Sequence, residues 1–257
     1  MGQSADPETL RFYQDEAERY CEKTGAISSP ALPSFLGRLK LGGSILELGC
    51  GSGRDTVEML RLGYDVTPTD GSPEMARQAE TVLRRPVLVL EFSEIEGDAR
   101  FDGVWAHACL LHVPADFLGE VLSRIYGVLD SPGVFFANFK EGTAEGRDRF
   151  GRYYNYPSFA KLRDIFRGAA SWFSLEIEKS SGQGYDGAAV KWLNCTATKN
   201  ERPAAVERCL AYEAVVSKEI KLHTPSSVRA LHPAGELPSR FAGAMCPGSA
   251  AVSIGER

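Results

Sequence analysis

The first half of the chain alternates short apolar runs with longer amphipathic stretches. The apolar runs lie at 44–48, 65–69, 87–92, 101–106 and 134–139. Helical patterns begin between these runs, near Arg54, Pro73 and Ala115. Short, nearly continuous apolar runs that are separated by helices are typical of parallel strands buried on both faces. The pattern therefore predicts a parallel sheet that is covered by helices on both faces.

Further elements are predicted on either side of this region. Residues 7–25 have apolar positions at helical spacing, with a proline in the first turn and a glycine at the end. Residues 157–167 also fit a helix, and 172–178 and 190–198 fit two strands that would close the sheet as an edge hairpin. The predicted fold class is therefore α/β: a doubly wound, mostly parallel seven-stranded sheet with helices on both faces.

The character of the sequence divides the chain into three parts. Residues 1–34 form a predicted N-terminal cap helix and linker, and residues 35–200 form the main domain. Within 201–220, apolar residues recur on one helical face, and Gly, Pro, Ser and Ala dominate from there to the C-terminus. We therefore expect residues 201–257 to form an appended helix and a mobile tail.

Composition and charge exclude several classes of protein. The formal net charge is -5, which argues against a protein that holds nucleic acid or an anionic membrane through overall positive charge. The sequence has no run of about 18 apolar residues and no basic, apolar leader at its start, so we expect no membrane association. Its six cysteines form no C-x-x-C pair, which favours reduced thiols and a cytoplasmic location.

A glycine-rich loop between a strand and a helix is the most informative segment. It reads Ile-Leu-Glu-Leu-Gly-Cys-Gly-Ser-Gly-Arg-Asp at 45–55. Gly49, Gly51 and Gly53 allow a sharp turn and let a ligand lie against bare main chain. A dinucleotide-binding loop has the spacing G-x-G-x-x-G, but Arg54 stands where its last glycine would be. The spacing therefore predicts a ligand without a pyrophosphate.

This segment resembles the first motif of the class I S-adenosylmethionine (SAM)-dependent methyltransferases, which has the form acidic-x-G-x-G-x-G. The resemblance covers roughly residues 35–200 and implies a Rossmann-like methyltransferase fold with SAM as the cofactor. The Gly-Ser-Gly-Arg-Asp form of the loop is also similar to that of tellurite-resistance-type bacterial methyltransferases.

The resemblance implies roles for individual residues. The glycine loop would pack against the methionine part of SAM, Glu47 would help to orient it, and Asp70, at the end of the second strand, would bind the ribose hydroxyls. The turn Asp-Gly-Ser-Pro-Glu-Met at 70–75 is similar to a family turn whose last side chain lies near the adenine. The implied cofactor-binding residues are Glu47, Gly49, Cys50, Gly51, Gly53, Asp70, Gly71, Met75, Glu91, Phe92, Ala106 and His107.

The segment Leu-His-Val-Pro at 111–114 is similar to the Leu-His-x-Pro ending of many small-molecule methyltransferases. Methyl transfer to an oxygen or a protonated nitrogen needs a base that removes a proton, and His112 is the candidate for this catalytic role. His107, Cys109 and His112 have a spacing that straddles a strand end and lacks a fourth ligand. We therefore expect no metal.

Residues that bind the methyl acceptor are expected in two places. In the family an N-terminal helix caps the cofactor, which implicates Tyr13. The segment 140–156 follows the fifth strand, where the family builds its substrate lid, and combines glycines with arginines and aromatic residues. Arg152, Tyr153 and Tyr154 are predicted to close over an anionic or aromatic acceptor, with the guanidinium binding a carboxylate or phosphate.

The sequence therefore predicts a SAM-dependent methyltransferase that moves a methyl group to an O or N atom of a small molecule. Two alternatives change the acceptor. One is a thiol or metalloid, suggested by Cys50, Cys109 and Cys195, and the other is RNA, suggested by the basic and aromatic segment but disfavoured by the acidic net charge. A further alternative is a non-catalytic SAM-binding protein that docks a partner through 201–220.

Overall fold

The computed structural model describes residues 4–25 and 27–200. The helices in this part of the chain are α1 (Pro7–Asp15), α2 (Ala17–Thr24), α3 (Leu32–Leu36), α4 (Arg54–Arg61), α5 (Pro73–Leu83), α6 (Ala115–Val128) and α7 (Phe159–Ala169). The strands are β1 (Ser44–Glu47), β2 (Asp65–Asp70), β3 (Leu88–Val89), β4 (Phe101–Ala106), β5 (Leu129–Lys140), β6 (Gly146–Arg147), β7 (Tyr153–Tyr154), β8 (Ser174–Gln183) and β9 (Ala189–Thr198). The helix and tail predicted over 201–257 lie outside the described residues.

A seven-stranded sheet with the order β3-β2-β1-β4-β5-β9-β8 forms the centre of the described structure. The strands from β3 to β5 are parallel, and β9 and β8 join in antiparallel orientation. This confirms the doubly wound sheet and the edge hairpin predicted from the sequence. The strand order reverses between β1 and β4, and doubly wound folds bind ligands beyond the carboxyl ends of the strands at such a point. The loops after β1 and β4 therefore mark the place where a site is expected.

Apolar side chains cover both faces of the sheet. On one face, α6 and α7 pack against β5 through buried residues that include Leu122, Leu162 and Phe135. On the other face, α3 and α4 pack against β4 through Phe35, Met59 and Trp105. Full burial of a side chain of this size stabilises the fold by about 1.5–3 kcal/mol. In the described ranges, no helix combines the length and the apolar character needed to cross a membrane.

The N-terminal helix is broken in two, so the single helix predicted over 7–25 is wrong. Glu16 leaves the helical conformation, with φ -110° and ψ 15°, and α2 begins at the next residue. Neither proline nor glycine stands at the break, so the local sequence gives no signal for it. Both helices contact α5, and this tertiary packing overrides the continuous helical pattern.

The third strand is shorter than the prediction over 87–92. It lies at the sheet edge and has two residues, after which Phe92–Glu94 form a 3-10 turn. The main-chain N–H of Glu91 donates to the Glu94 side chain at 2.8 Å, and this cap stabilises the turn against a longer strand. The other predicted strands and helices of the described region are present, with ends that differ by a few residues.

A buried carboxylate at the start of α4 connects the linker to the sheet. The oxygens of Asp55 accept hydrogen bonds from the main-chain N–H of Ser29 at 2.6 Å and from the indole N–H of Trp105 at 3.0 Å. All three residues are buried. Asp55 therefore fixes α4 and the segment before α3 against β4, directly behind the glycine loop.

We expect Asp55→Ala to lower the free energy of unfolding by about 2–4 kcal/mol, because it leaves two buried N–H donors without an acceptor. Urea unfolding followed by circular dichroism measures the change. Asp65→Ala, at an exposed position of β2, is the matched control and should change stability by less than about 0.5 kcal/mol. Equal losses in the two variants would contradict the role assigned to Asp55.

Candidate active site

The loop between β1 and α4 places bare main chain at the reversal point of the sheet. Gly49 and Gly51 lie in the left-handed region, with φ of 62° and 59°, where other residues are strained. A Cβ on Gly49 would lie 2.6 Å from the Cβ of Cys109, so this position has no room for a side chain. A Cβ on Gly51 would lie 3.8 Å from Met75 and 3.9 Å from Tyr20, where it would intrude on the cleft that these residues border.

Asp70 ends β2 and faces the glycine loop. Its Oδ2 accepts a hydrogen bond from the Gly51 N–H at 3.0 Å, and its Oδ1 accepts one from the Ser72 N–H at 2.9 Å. Burial raises the pKa of Asp70 to about 6, although the two main-chain donors act in the opposite direction. The side chain is therefore ionised at neutral pH and is placed to accept hydrogen bonds from ligand hydroxyls.

These groups border a cleft of about 710 Å³, part of it open to solvent, which we call the first cleft. The sequence-predicted residues that line it are Tyr13, Gly49, Gly51, Asp70, Gly71, Met75, Glu91, Phe92, His107 and His112. Lining residues without a predicted role include Thr9, Leu10, Tyr20, Leu90 and Ala108. The helical spacing of Leu10 and Tyr20 in the sequence indicates that they share one face of the N-terminal helical region. The sequence does not indicate that this face borders a cleft.

A recess adjoins the first cleft and contains Glu47 and Arg54. The Glu47 carboxyl group accepts a hydrogen bond from the Thr56 hydroxyl. Burial, together with the neighbouring Asp55, raises the pKa of Glu47 well above its usual range. The Arg54 guanidinium donates to the main-chain oxygen of Thr24 at 3.1 Å. The recess thus offers a cation and a carboxyl group, which suits the zwitterionic end of an amino acid.

The other predicted cofactor residues differ in their positions. Cys50 lines the recess, whereas Gly53 and Ala106 line neither the recess nor the first cleft. Gly53 caps the start of α4 with φ 76°, and Ala106 is a fully buried residue at the end of β4. Both therefore shape the loop and the strand behind the cleft, and the cofactor contact expected for them stays a prediction.

The buried thiols of this region are protonated. The Cys109 thiol donates to the main-chain oxygen of Leu48 at 3.2 Å, and burial raises the pKa of Cys109. Burial also raises the pKa of Cys195, which lies in the core and borders neither space. Across residues 4–25 and 27–200, no three His, Cys, Asp or Glu side chains are grouped so that they could hold a metal ion.

His112 and Tyr13 are joined by a hydrogen bond in the wall of the first cleft. The Tyr13 hydroxyl lies 2.9 Å from His112 Nε2, and His112 Nδ1 lies 2.6 Å from the main-chain oxygen of Tyr153. Because a carbonyl oxygen can only accept, Nδ1 carries the proton and Nε2 accepts from the Tyr13 hydroxyl. Burial lowers the pKa of His112 to about 3 and raises the pKa of Tyr13. Both side chains are therefore neutral at pH 7, and His112 is a weak base.

Arg152, which was predicted to close over the acceptor, is already paired inside the protein. Only 2% of its surface is exposed, and its Nε and Nη2 donate to Oδ2 of Asp148 at 3.0 Å and 2.7 Å. Its Nη1 donates to the Tyr13 hydroxyl at 3.2 Å. Aromatic rings lie 4.7 to 5.8 Å from its guanidinium carbon: Phe12, Tyr13, Phe150, Tyr154 and Tyr185. Its link to the first cleft runs through Tyr13.

A second cleft adjoins the first and has a volume of about 1160 Å³, part of it open to solvent. The residues that border both clefts are Tyr13, Tyr20, His107, Ala108 and His112. The rest of its lining includes the predicted residues Arg152 and Tyr154 and the unpredicted residues Lys140, Tyr185 and Trp192. Lys140 ends β5, whereas Tyr185 and Trp192 belong to the hairpin of β8 and β9, so no local motif reveals this cleft.

The predicted substrate lid contains the short hairpin of β6 and β7, which docks on α1. Arg147 forms ion pairs with Asp6 at 2.8 Å and with Glu8 at 3.1 Å. The Tyr153 hydroxyl donates to Glu145 at 2.6 Å, and Tyr153 lines neither cleft. Tyr153 therefore contributes its main-chain carbonyl to the site, through His112, and not the side chain that the sequence suggested.

Residues 46–137 match the family model described as "Methyltransferase domain". A search of curated proteins found no match to the sequence.

Solved structures share the fold. The 1,6-didemethyltoxoflavin-N1-methyltransferase of Burkholderia thailandensis, with bound 1,6-didemethyltoxoflavin and S-adenosylhomocysteine (SAH), is 26% identical with a TM-score of 0.58, over 76% of this chain and 88% of that chain. A DhpI-SAH complex is 23% identical with a TM-score of 0.55, over 79% and 100% of the two chains. The [4+2]-cyclase SpnF is 13% identical with a TM-score of 0.61, over 79% and 99%, and shows the fold alone.

The sheet therefore has the fold of the class I SAM-dependent methyltransferases, and residues 46–137 within it match a methyltransferase domain. The chain is therefore an enzyme whose cofactor is SAM, as the sequence predicted. The likeness of its glycine loop to tellurite-resistance-type enzymes stays a prediction.

We expect the affinity for SAH to depend on pH through Asp70. The sequence prediction has the ionised form of Asp70 accept hydrogen bonds from the ribose hydroxyls, and the pKa of Asp70 in the free protein is about 6. Protonation between about pH 7 and about pH 5 should therefore weaken binding by about tenfold, since SAH binding must release the proton. Isothermal titration calorimetry at the two pH values measures this change.

The matched variants for this test are Asp70→Asn and Glu91→Gln, both in the first cleft. Asp70→Asn should bind SAH weakly at both pH values, and Glu91→Gln should keep the pH dependence of the wild type. The same pH dependence in Asp70→Asn would show that another group titrates.

Proposed function

We propose that this enzyme transfers the methyl group of SAM to an N or O atom of a small aromatic molecule, with SAM in the first cleft and the acceptor in the second. The observation that carries the proposal is the shared wall, in which residues such as Tyr13 and His112 border both clefts. Residues that border both clefts mark the place where the two spaces adjoin, so that ligands in the two clefts would meet there. Direct displacement needs such a juxtaposition and an alignment of the reacting atoms.

The residues of the first cleft and its recess fit the parts of SAM. Asp70 would bind the ribose hydroxyls, and Met75 would lie against the adenine. The main chain at Gly51 would pack against the methionine part, whose charged end would meet Arg54 and Glu47. The cradle beside Gly51, which a side chain would fill, supports this assignment. The bound cofactor supplies an activated methyl group on a positively charged sulfur.

We further propose that residues 1–34 form a cap over the 35–200 methyltransferase domain. Tyr13 of α1 and Tyr20 of α2 border both clefts. The Tyr20 ring stacks on that of Tyr185, with centroids 4.9 Å apart, so the cap reaches across the second cleft. A cap in this position excludes water from the reacting atoms.

The aromatic lining of the second cleft favours a flat acceptor. Tyr154, Tyr185 and Trp192 line it. Tyr154 already stacks on Tyr156 and Tyr185 on Tyr20, so Trp192 is the ring proposed to stack on a planar ligand. The Burkholderia thailandensis protein supports this class of acceptor, since its name gives a nitrogen atom of a small molecule as the methylated position.

The Tyr13–His112 pair is proposed to orient the acceptor. The sequence suggested His112 as a general base, but its pKa of about 3 makes it a poor proton acceptor at neutral pH. The Tyr13 hydroxyl donates to His112 and accepts from Arg152, and Tyr20 is a further hydrogen-bonding neighbour of this hydroxyl. Because these bonds hold the Tyr13 and His112 rings in place, the two rings can position the acceptor by direct contact at the border of the second cleft.

The function is tested by incubating the full chain with SAM and a panel of phenols, ring N–H compounds, aromatic acids, thiols and total RNA. SAH release and product mass are measured together. We expect SAH release that is matched by one added methyl group on an N or O atom of a ring compound. Methylation of RNA or thiols alone, or no turnover with any small molecule, would contradict the proposal.

We expect Tyr13→Phe to lower kcat by about tenfold or more while SAH affinity changes by less than about threefold. The variant removes the hydroxyl that His112 and Arg152 share but keeps the ring in the wall. Initial rates with the best acceptor of the panel and calorimetry with SAH measure the two effects. Tyr126→Phe, whose hydroxyl donates to Ser171 away from both clefts, is the control. An unchanged kcat in Tyr13→Phe would contradict the role of the Tyr13 hydroxyl in orienting the acceptor.

A further inference from the structure

The second cleft is positively charged in a protein that is acidic overall. Its lining contains the cations Lys23, Arg54, Lys140 and Arg152. Among the residues that the structure describes, no aspartate or glutamate lines it, although the whole chain has a formal net charge of -5. A cleft lined by one sign of charge concentrates ligands of the opposite sign.

Two of these cations are already paired. Arg152 forms its ion pair with Asp148 at 2.7 Å. Arg54 lies 3.8 Å from Asp55 and donates to a main-chain oxygen in the recess of the first cleft. Neither arginine has its full charge available to a ligand in the second cleft, so the guanidinium of Arg152 is not the group that the acceptor would meet first.

Lys140 differs from both arginines. Its ammonium lies 3.9 Å from the centroid of the Tyr154 ring, and no salt bridge joins it to a carboxylate of residues 4–25 or 27–200. Burial and the charge of Arg152 lower the pKa of Lys140, while Asp148 and Asp186 act in the opposite direction. An anion placed beside this ammonium would relieve that unfavourable environment.

The wall between the clefts offers no strong base. Burial holds His112 neutral with a pKa of about 3, and its Nε2 accepts from the Tyr13 hydroxyl. The Cys109 thiol is engaged with a carbonyl oxygen. An acceptor that enters with its N–H or O–H proton has no good recipient for it in this wall, whereas an acceptor that binds as its anion needs none.

We propose that the second cleft binds the acceptor as an aromatic anion paired with Lys140, and that this positive environment takes the place of a general base. The inference rests on the proposed function. It names the substrate class as a planar ring acid, such as a phenol, lactam or imide, that loses its N–H or O–H proton to solvent on binding. The lone pair of the anionic atom then forms the new bond to the methyl carbon as the methyl–sulfur bond breaks, which leaves a neutral thioether and a neutral methylated acceptor.

The test uses 4-nitrophenol, whose ionised form absorbs visible light, with the full chain saturated with SAH. Absorbance is followed against pH for the free and the bound probe. We expect the pKa of the bound probe to fall by about one unit or more, equivalent to at least about a tenfold preference for the anion. Lys140→Met should remove most of this shift, and Lys140→Arg should retain it. Lys179→Met is the control, because Lys179 pairs with Glu141 and does not line the cleft.

The absorbance measures binding of the anionic probe, whereas the panel assay with SAM measures methyl transfer. The further inference and the proposed function can therefore be contradicted independently of each other. An unchanged or raised pKa of the bound probe, the same shift in Lys140→Met as in the wild type, or no saturable binding of the phenolate would overturn the inference. A lowered probe pKa that depends on Lys140, together with no methylated product from the panel, would overturn the proposed function and leave anion binding in place.

Discussion

The hydroxyl group of Tyr13 connects the parts of the molecule that form the site. It donates to His112 and accepts from Arg152, which are 99 and 139 positions away along the chain. Helix α1, the turn after β4 and the segment before β7 therefore meet at one atom. This junction forms part of the wall between the two clefts. It acts together with the Arg147 ion pairs and the Arg54–Thr24 hydrogen bond, which also hold the N-terminal helices over the carboxyl end of the sheet.

Burial gives this junction a fixed protonation pattern. The guanidinium of Arg152 is buried, which would cost several kcal/mol without a partner, but Asp148 and the surrounding ring faces offset that penalty. Tyr13 and His112, which are linked to Arg152 by hydrogen bonds, are both neutral. His112 Nδ1 carries a proton and donates it in a hydrogen bond to the main-chain oxygen of Tyr153. The wall therefore carries no exposed charge and little basicity. Any charge that develops on an acceptor must be met by the open side of the second cleft, where Lys140 lies.

The sheet and the cofactor side of the site were predictable from sequence because their signals are local. Gly49 and Gly51 lie in a single strand-loop-helix segment, and Asp70 ends the next strand, so the parallel order of the sheet brings them together. Lys140 and Trp192 come from strands joined only in the folded sheet, so no spacing rule links them. Two properties of the site depend on burial in the folded protein and could not be predicted from the sequence. These are the pairing of Arg152 with Asp148 and the low basicity of His112. The fold alone leaves the reaction open, since SpnF, a [4+2]-cyclase, shares it.

A crystal structure with bound SAH tests the central claim most directly, because it shows whether the two clefts serve one reaction. The account predicts the ribose hydroxyls within hydrogen-bond distance of Asp70 and the sulfur facing the wall formed by Tyr13 and His112, towards the second cleft. SAH with its sulfur directed away from that wall, or bound outside the first cleft, would contradict the account.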